Sequence, residues 1–196
     1  MSLPRFHEDS YGHFVTTKTF QSQRLFTDPK NCQMVLDNLE FYRQQLHFDV
    51  LGYCLMPDHF HMIVWWDVDA HPKLTIGKIM QGIKSHSAKE IVTYHQLGRR
   101  GPLTSPGGKR PGQGTRATHP GVYPKRRMSV QTTRIWQPSF YDFNIHSDNK
   151  LRQKLAYIHN NPVTAGLCKN PEDWPWSSYR QVELGEQSKE VAITTW

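Results

Sequence analysis

The spacing of apolar and polar positions divides the chain into two ordered stretches separated by one without periodicity. His13-Phe-Val-Thr-Thr-Lys-Thr19 is rich in β-branched residues and predicts a strand. Asp28 to Leu46 predicts a helix, with Asp28 as N-cap, Pro29 as first residue, and Val35, Leu36, Leu39 and Tyr42 as the apolar face. Asp49–Met56 and His59–Trp66 predict two strands joined at the turn Pro57-Asp58, a β-hairpin. Thr75 to Leu97 predicts a long helix with Ile76, Ile79, Met80, Ile83, Ala88, Ile91 and Val92 inward and Gly98 as its stop. Residues 98–124 hold twelve of the chain's 26 Gly and Pro residues and no hydrophobic period. They predict a long flexible loop inside the domain, reaching to about residue 133, rather than a domain boundary. Patterning resumes at Arg134–Ile145, a short strand or extended pair. Ser147 then caps a helix expected to end near Asn160, because Pro162 disfavours helical backbone at Asn161. Trp174-Pro-Trp-Ser-Ser-Tyr179 predicts an aromatic tail that packs back on the core.

The predicted order, β-α-β-β-α-loop-β-α, is the ferredoxin-like order with one added helix. The expectation is an α+β, ferredoxin-like (RRM-like) antiparallel sheet with helices on one face plus an added C-terminal helix, in a single domain over residues 1–196. That fold hosts many functions and selects none.

Composition narrows the classes. Of 196 residues, 37% are hydrophobic and 12% aromatic, which argues against a disordered chain. Cys32, Cys54 and Cys168 are widely spaced and form no CxxC pair, so neither a disulfide framework nor a cysteine zinc site is expected. The longest apolar run, Met62–Trp66, is far short of the roughly 20 residues that span a membrane. The N-terminal MSLPRFHEDS lacks a signal-peptide core, and a reducing, intracellular location is the expectation. The net charge of +7 is local. Ile91 to Tyr141 carries nine basic residues and no acid, whereas the rest carries 15 basic against 17 acidic. Such a block is either a solvated basic loop or a contact for a polyanion, most simply nucleic acid.

Two constellations carry candidate chemistry. In His59-Phe60-His61, strand geometry puts both imidazoles on one face and Phe60 on the other. The pair is either two half-exposed strand histidines or part of an open metal site with room for substrate. On the 147–161 helix, Leu151, Leu155 and Ile158 form the buried face at about 100° per residue. Lys150, Lys154, Tyr157 and Asn161 share a stripe about 60° wide beside it. A phenol beside two ammonium groups suits attack on a phosphate, and Asn161 offers an amide oxygen to a metal; an ordinary boundary tyrosine among surface lysines is the other reading. No Walker loop, GxGxxG, HExxH or paired-carboxylate motif is present.

Four ordered segments carry a family resemblance. Gly52-Tyr-Cys-Leu-Met-Pro-Asp-His-Phe-His-Met-Ile-Val64 resembles the HUH segment of the IS200-like tyrosine transposases. Trp136-Gln-Pro-Ser-Phe-Tyr-Asp142 resembles their strand before the catalytic helix, and Leu155-Ala-Tyr-Ile-His-Asn-Asn-Pro-Val-Thr-Ala-Gly-Leu167 their tyrosine segment. Together with Trp174–Tyr179 they resemble the branch of REP-associated tyrosine transposases. The resemblance covers most of residues 11–97 and 134–180. It implies a Y1 HUH enzyme that nicks and rejoins single-stranded DNA, often at a hairpin, through a 5′-phosphotyrosine link. By position it implies Tyr157 as nucleophile, with His59, His61 and Asn161 as ligands of Mg²⁺ or Mn²⁺ on the added, catalytic helix and its neighbouring strand. Lys150, Lys154 and, from the basic stretch, Arg99, Arg100, Arg126 and Arg127 are the expected DNA contacts. A monomer or homodimer in a prokaryotic cytoplasm, at the nucleoid, is implied. The rivals are a nucleic-acid-binding protein of the same fold whose catalysis has lapsed, and a metal-dependent hydrolase using water. The stretch 98–133 is longer than expected of the family.

Overall fold

The computed structural model describes residues 11–99, 134–188 and 190–194. Four strands, β1 (Gly12–Lys18), β2 (Asp49–Leu55), β3 (His59–Trp65) and β4 (Tyr141–Ile145), make one sheet in the order β2-β3-β1-β4. Every pairing is antiparallel. This is the ferredoxin-like order that the element sequence predicts. Thr16 sits opposite His61 on one side and Tyr141 on the other, and His61 opposite Cys54, so Cys54, His61, Thr16 and Tyr141 form one row across the sheet.

Helix α1 (Pro29–Leu46) starts where its cap predicts: the Asp28 carboxylate accepts from the Lys30 backbone N–H at 2.9 Å. It packs beside α2 (Ile76–Arg99), and Val35, Leu36, Leu39, Ile79, Met80, Ile83 and Ile91 are buried. Helix α3 (Asp148–Thr164) lies against β2 and β3 on the face of Gly52. A Cβ built at Gly52 would meet Leu155 Cδ2, so glycine is what lets the helix rest on the strand backbone. β2 is buried from Val50 to Leu55, because both of its faces are covered. Among the described residues no helix is long and apolar enough to cross a membrane, and all three cysteines are free.

Three boundaries differ from the sequence expectation. Helix α2 runs through Gly98 to Arg99. Helix α3 does not stop at Asn160 but includes Pro162 and ends at Thr164. Pro162 is buried in the last turn, where Ala165 N–H donates to Asn161 O and Leu167 N–H to Pro162 O. Gly166, at φ +68°, then turns the chain away. Between Arg134 and Ile145 only Tyr141–Ile145 is a strand, since Pro138 interrupts pairing and Trp136 makes a single bridge to Thr19.

The aromatic tail does pack back, and its means are specific. Leu55 N–H donates to Trp176 O, Ser178 N–H to Tyr53 O, and Trp174 Nε1–H to Leu55 O. Residues 176–178 thus lie along the outer edge of β2, ahead of a short helix α4 (Tyr179–Leu184). Further along, Thr194 N–H donates to Val50 O. The outer edge of β4 has no strand partner among the described residues.

Candidate active site

Strand alternation turns His59 and His61 to the face that carries α3 and Phe60 into the opposite core, where it is 1% exposed. The two imidazoles meet edge to face with centroids 4.7 Å apart. Each ring is held from behind. Asp58 Oδ1 lies 2.7 Å from His59 Nδ1, and Thr16 Oγ1 lies 2.7 Å from His61 Nδ1. An Nδ1–H engaged in this way leaves the Nε2 lone pair for a ligand. His61 is only 3% exposed, more buried than a strand histidine beside an open site needs to be. Burial, then the nearby His59, Lys154 and Lys18, pushes it down to about 3, so the ring is neutral.

Helix α3 delivers the other predicted residues. The Tyr157 ring lies 5.6 Å from that of His61, and the Asn161 side-chain nitrogen 2.9 Å from His61 Nε2. The assignment of Asn161 oxygen and nitrogen is interchangeable on geometry, and a flipped amide turns Oδ1 toward the two imidazoles. Lys154 Nζ sits 4.3 Å over Phe14, 4.6 Å over Phe143 and 6.0 Å from the Tyr157 ring. Desolvation, and then Lys150, lowers the Lys154 ammonium. Lys150 Nζ donates to Gln153 and lies 6.0 Å over Phe143. Helical spacing therefore does bring Lys150, Lys154, Tyr157 and Asn161 to one side, and that side faces the histidines.

The donor set fits a divalent ion on this geometry. Two imidazoles, each braced through Nδ1, stand together, and the Asn161 side-chain amide lies 2.9 Å from His61 Nε2. Among the described residues no group of three or more His, Cys, Asp or Glu is placed to hold a metal. Arg99 is the last residue of α2, while Arg100, Arg126 and Arg127 lie outside the described residues.

Several contributors escape sequence reading. Thr16 enters through cross-strand register, which no local pattern reveals. Asp58 was visible as the neighbour of His59. On the buried side of α3, His159 Nε2 lies 2.9 Å from Ser178 Oγ. Ser178 Oγ also accepts from Tyr53 N–H at 2.8 Å. His159 Nδ1 has no hydrogen-bond partner, and Glu183 Oε1 is 3.9 Å away. A Ser-His-Glu set of this kind looks like a nucleophilic triad, but Ser178 is fully buried and its oxygen is committed to β2. It is a fastening between the helix, the strand and the tail.

The family model described as "Transposase IS200 like" matches residues 7–102, the segment with both histidines but not Tyr157. A candidate REP-associated tyrosine transposase of Haemophilus influenzae is 24% identical over 135 residues, 68% of this chain and 60% of that one. A REP-associated tyrosine transposase of Escherichia coli is 38% identical over 47 residues, 24% of this chain and 28% of that one. The chain thus matches less than two thirds of the length of these curated relatives. A solved REP-associated tyrosine transposase bound to a REP hairpin superposes with a TM-score of 0.61 at 20% identity, covering 100% of this chain and 95% of that one. This likeness shows a shared overall fold. Over these segments the chain is similar to the IS200-like transposases, and to REP-associated tyrosine transposases among them.

Proposed function

We propose that the protein cleaves and rejoins single-stranded DNA through a covalent phosphotyrosine, as in transposition or the processing of REP-type hairpins. The observation that carries this reading is the convergence of Tyr157 and Asn161 on α3 with His59 and His61 on β3, Tyr157 and His61 being 5.6 Å apart ring to ring. The family match, and the relatives' description as REP-associated tyrosine transposases, support it.

In this mechanism Tyr157 Oη attacks the scissile phosphorus. The new O–P bond forms as the P–O3′ bond breaks. The phenolic proton passes to solvent, and the departing 3′ oxygen takes up a proton to become a 3′-OH. The 5′ phosphate stays on Tyr157. Attack by a 3′-OH reverses the step and joins strands without ATP. Lys154 and Lys150 offset charge on the phosphate and the phenolate. His59, His61 and Asn161 would hold Mg²⁺ or Mn²⁺, which supplies Lewis-acid polarisation of a phosphoryl oxygen when bound. Substrate is a single strand, with a hairpin placing the cleavage site, and the working unit is a monomer or homodimer.

The test uses end-labelled single-stranded DNA carrying the hairpin nearest the gene, with Mn²⁺, resolved on a denaturing gel. A covalent protein–DNA band is expected for the wild type. Tyr157→Phe keeps the ring but removes the attacking oxygen, so the band disappears while affinity for DNA stays within about twofold. Binding without an adduct in the wild type would favour a lapsed nucleic-acid-binding protein. Cleavage without an adduct would favour a water-using hydrolase.

A further inference from the structure

Tyr141 is 55% exposed although it lies beside the site on the α3-covered face of the sheet. It shares the cross-strand row of Thr16 and His61, two strands from His61, or roughly 10 Å across the sheet. Its ring stands edge-on to Phe14, with centroids 6.3 Å apart. The Tyr157 ring stands edge-on to the same Phe14 at 6.0 Å and is 53% exposed. Two upright, half-exposed phenols thus flank one buried phenylalanine, and the Lys154 ammonium lies over that phenylalanine's face. Lys18 and Lys154 are close enough to bear on His61, and Lys150 lies beside Phe143. The surroundings of Tyr141 therefore favour an anionic chain that also carries flat apolar groups. A single-stranded nucleic acid has both: phosphates for the lysines and a π-face on every base.

We propose that Tyr141 is a base-binding residue that stacks on a nucleobase one or two nucleotides from the phosphate Tyr157 attacks, on the β4 side of the site. This rests on the proposed single-strand DNA reading and deepens it by assigning the path of the strand. The strand crosses the sheet along the row from His61 to Tyr141 rather than toward β2, whose edge the tail occupies. The Lys154 ammonium, 4.3 Å over the Phe14 ring that both tyrosines touch, would meet a phosphate of that strand.

The experiment is a cycle between protein and DNA, read by fluorescence anisotropy on a hairpin-bearing single strand in EDTA, so that no chemistry is needed. Tyr141→Ala should weaken binding about tenfold, and Tyr141→Phe should bind as the wild type does, because stacking needs the ring and not the hydroxyl. Abasic substitutions are then placed singly along the strand. At one position, within two nucleotides of the scissile phosphate, the missing base should cost the wild type about tenfold and Tyr141→Ala nothing further. Tyr141→Phe keeps the stacking ring and lacks only the hydroxyl, so covalent adduct at saturating DNA should form with it. Equal affinity of Tyr141→Ala and wild type overturns the proposal, as do additive losses at every abasic position. An adduct lost in Tyr141→Phe also overturns it, since that would make the hydroxyl chemical. If the wild type makes no adduct yet the cycle shows coupling, the strand-transfer reading fails and the base contact stands.

Discussion

The two sides of α3 are built to opposite rules. Toward β2 the helix is dry and fastened. Leu151, Leu155, Ile158, His159 and Pro162 are buried, Gly52 admits direct contact with the strand, and Ser178 ties helix, strand and tail together. Toward β1 and β4 it is open and cationic, with Tyr157 and Tyr141 half exposed and Lys154 resting on aromatic faces. On the proposed strand-transfer reading, a nucleophile and a ligand on one helix must meet histidines on another element within a fraction of an ångström. The dry side supplies that precision, and the open side leaves room for a substrate. Rigidity on one edge of the sheet and access on the other are two halves of one arrangement.

Removing a member of the open side should have the largest effect. His61→Ala should abolish cleavage, and EDTA should do the same to the wild type, as read by the denaturing gel. His61 is buried and bonded to Thr16, so the variant should also lose about 1–3 kcal/mol in a urea titration. His59→Ala should be equally inactive yet closer to wild-type stability, because His59 is less buried. Full activity in EDTA would remove the metal from the account.

Loosening the dry side should be smaller but should reach across the helix. Ser178→Ala strands the Tyr53 N–H and His159 Nε2, and should cost about 1–3 kcal/mol. Gly52→Ala forces a Cβ against Leu155 and should cost about as much by overpacking. Single-turnover adduct formation at saturating DNA, measured well below the melting temperature, should fall about tenfold in each, with DNA affinity unchanged. Unchanged rates with lowered stability would show that the fastening serves the fold alone.

The dry side also carries an effect of pH that touches stability and not the reaction itself. Burial depresses His159 to about 4 and His61 to about 3. In the unfolded chain both titrate near 6.5, so the unfolded state binds protons first as pH falls. Their contribution to stability is complete above about 6.5 and is lost as pH drops toward their folded values. At pH 5 each should have lost about 2 kcal/mol relative to pH 8, measured by urea titration in EDTA. His159→Gln should remove its share of that slope.

These regions also differ in how much the sequence discloses. His59 and His61 follow from a period of two, and the Tyr157 stripe from a period of 3.6, because both are local consequences of backbone geometry. The ferredoxin-like order was equally legible, since β-α-β-β-α-β has few ways to pair. Thr16 and Tyr141 were not placed, because their positions beside His61 depend on register between strands far apart in sequence. The His159–Ser178 bond was hidden for a similar reason: its partners lie on a helix and on a tail that contact only after both pack on β2. The end of α3 differs from the sequence expectation because Pro162 is a local helix-breaking signal that tertiary burial of its ring outweighs.

The most direct measurement is to locate the covalent link. After reaction with single-stranded DNA, nuclease trimming and tryptic digestion, mass spectrometry should find a 5′-phosphonucleotide on the peptide spanning residues 155–169, which holds Tyr157. A link on the 135–150 peptide, which holds Tyr141, or no link while cleavage proceeds, would contradict the assignment of α3 as the catalytic helix.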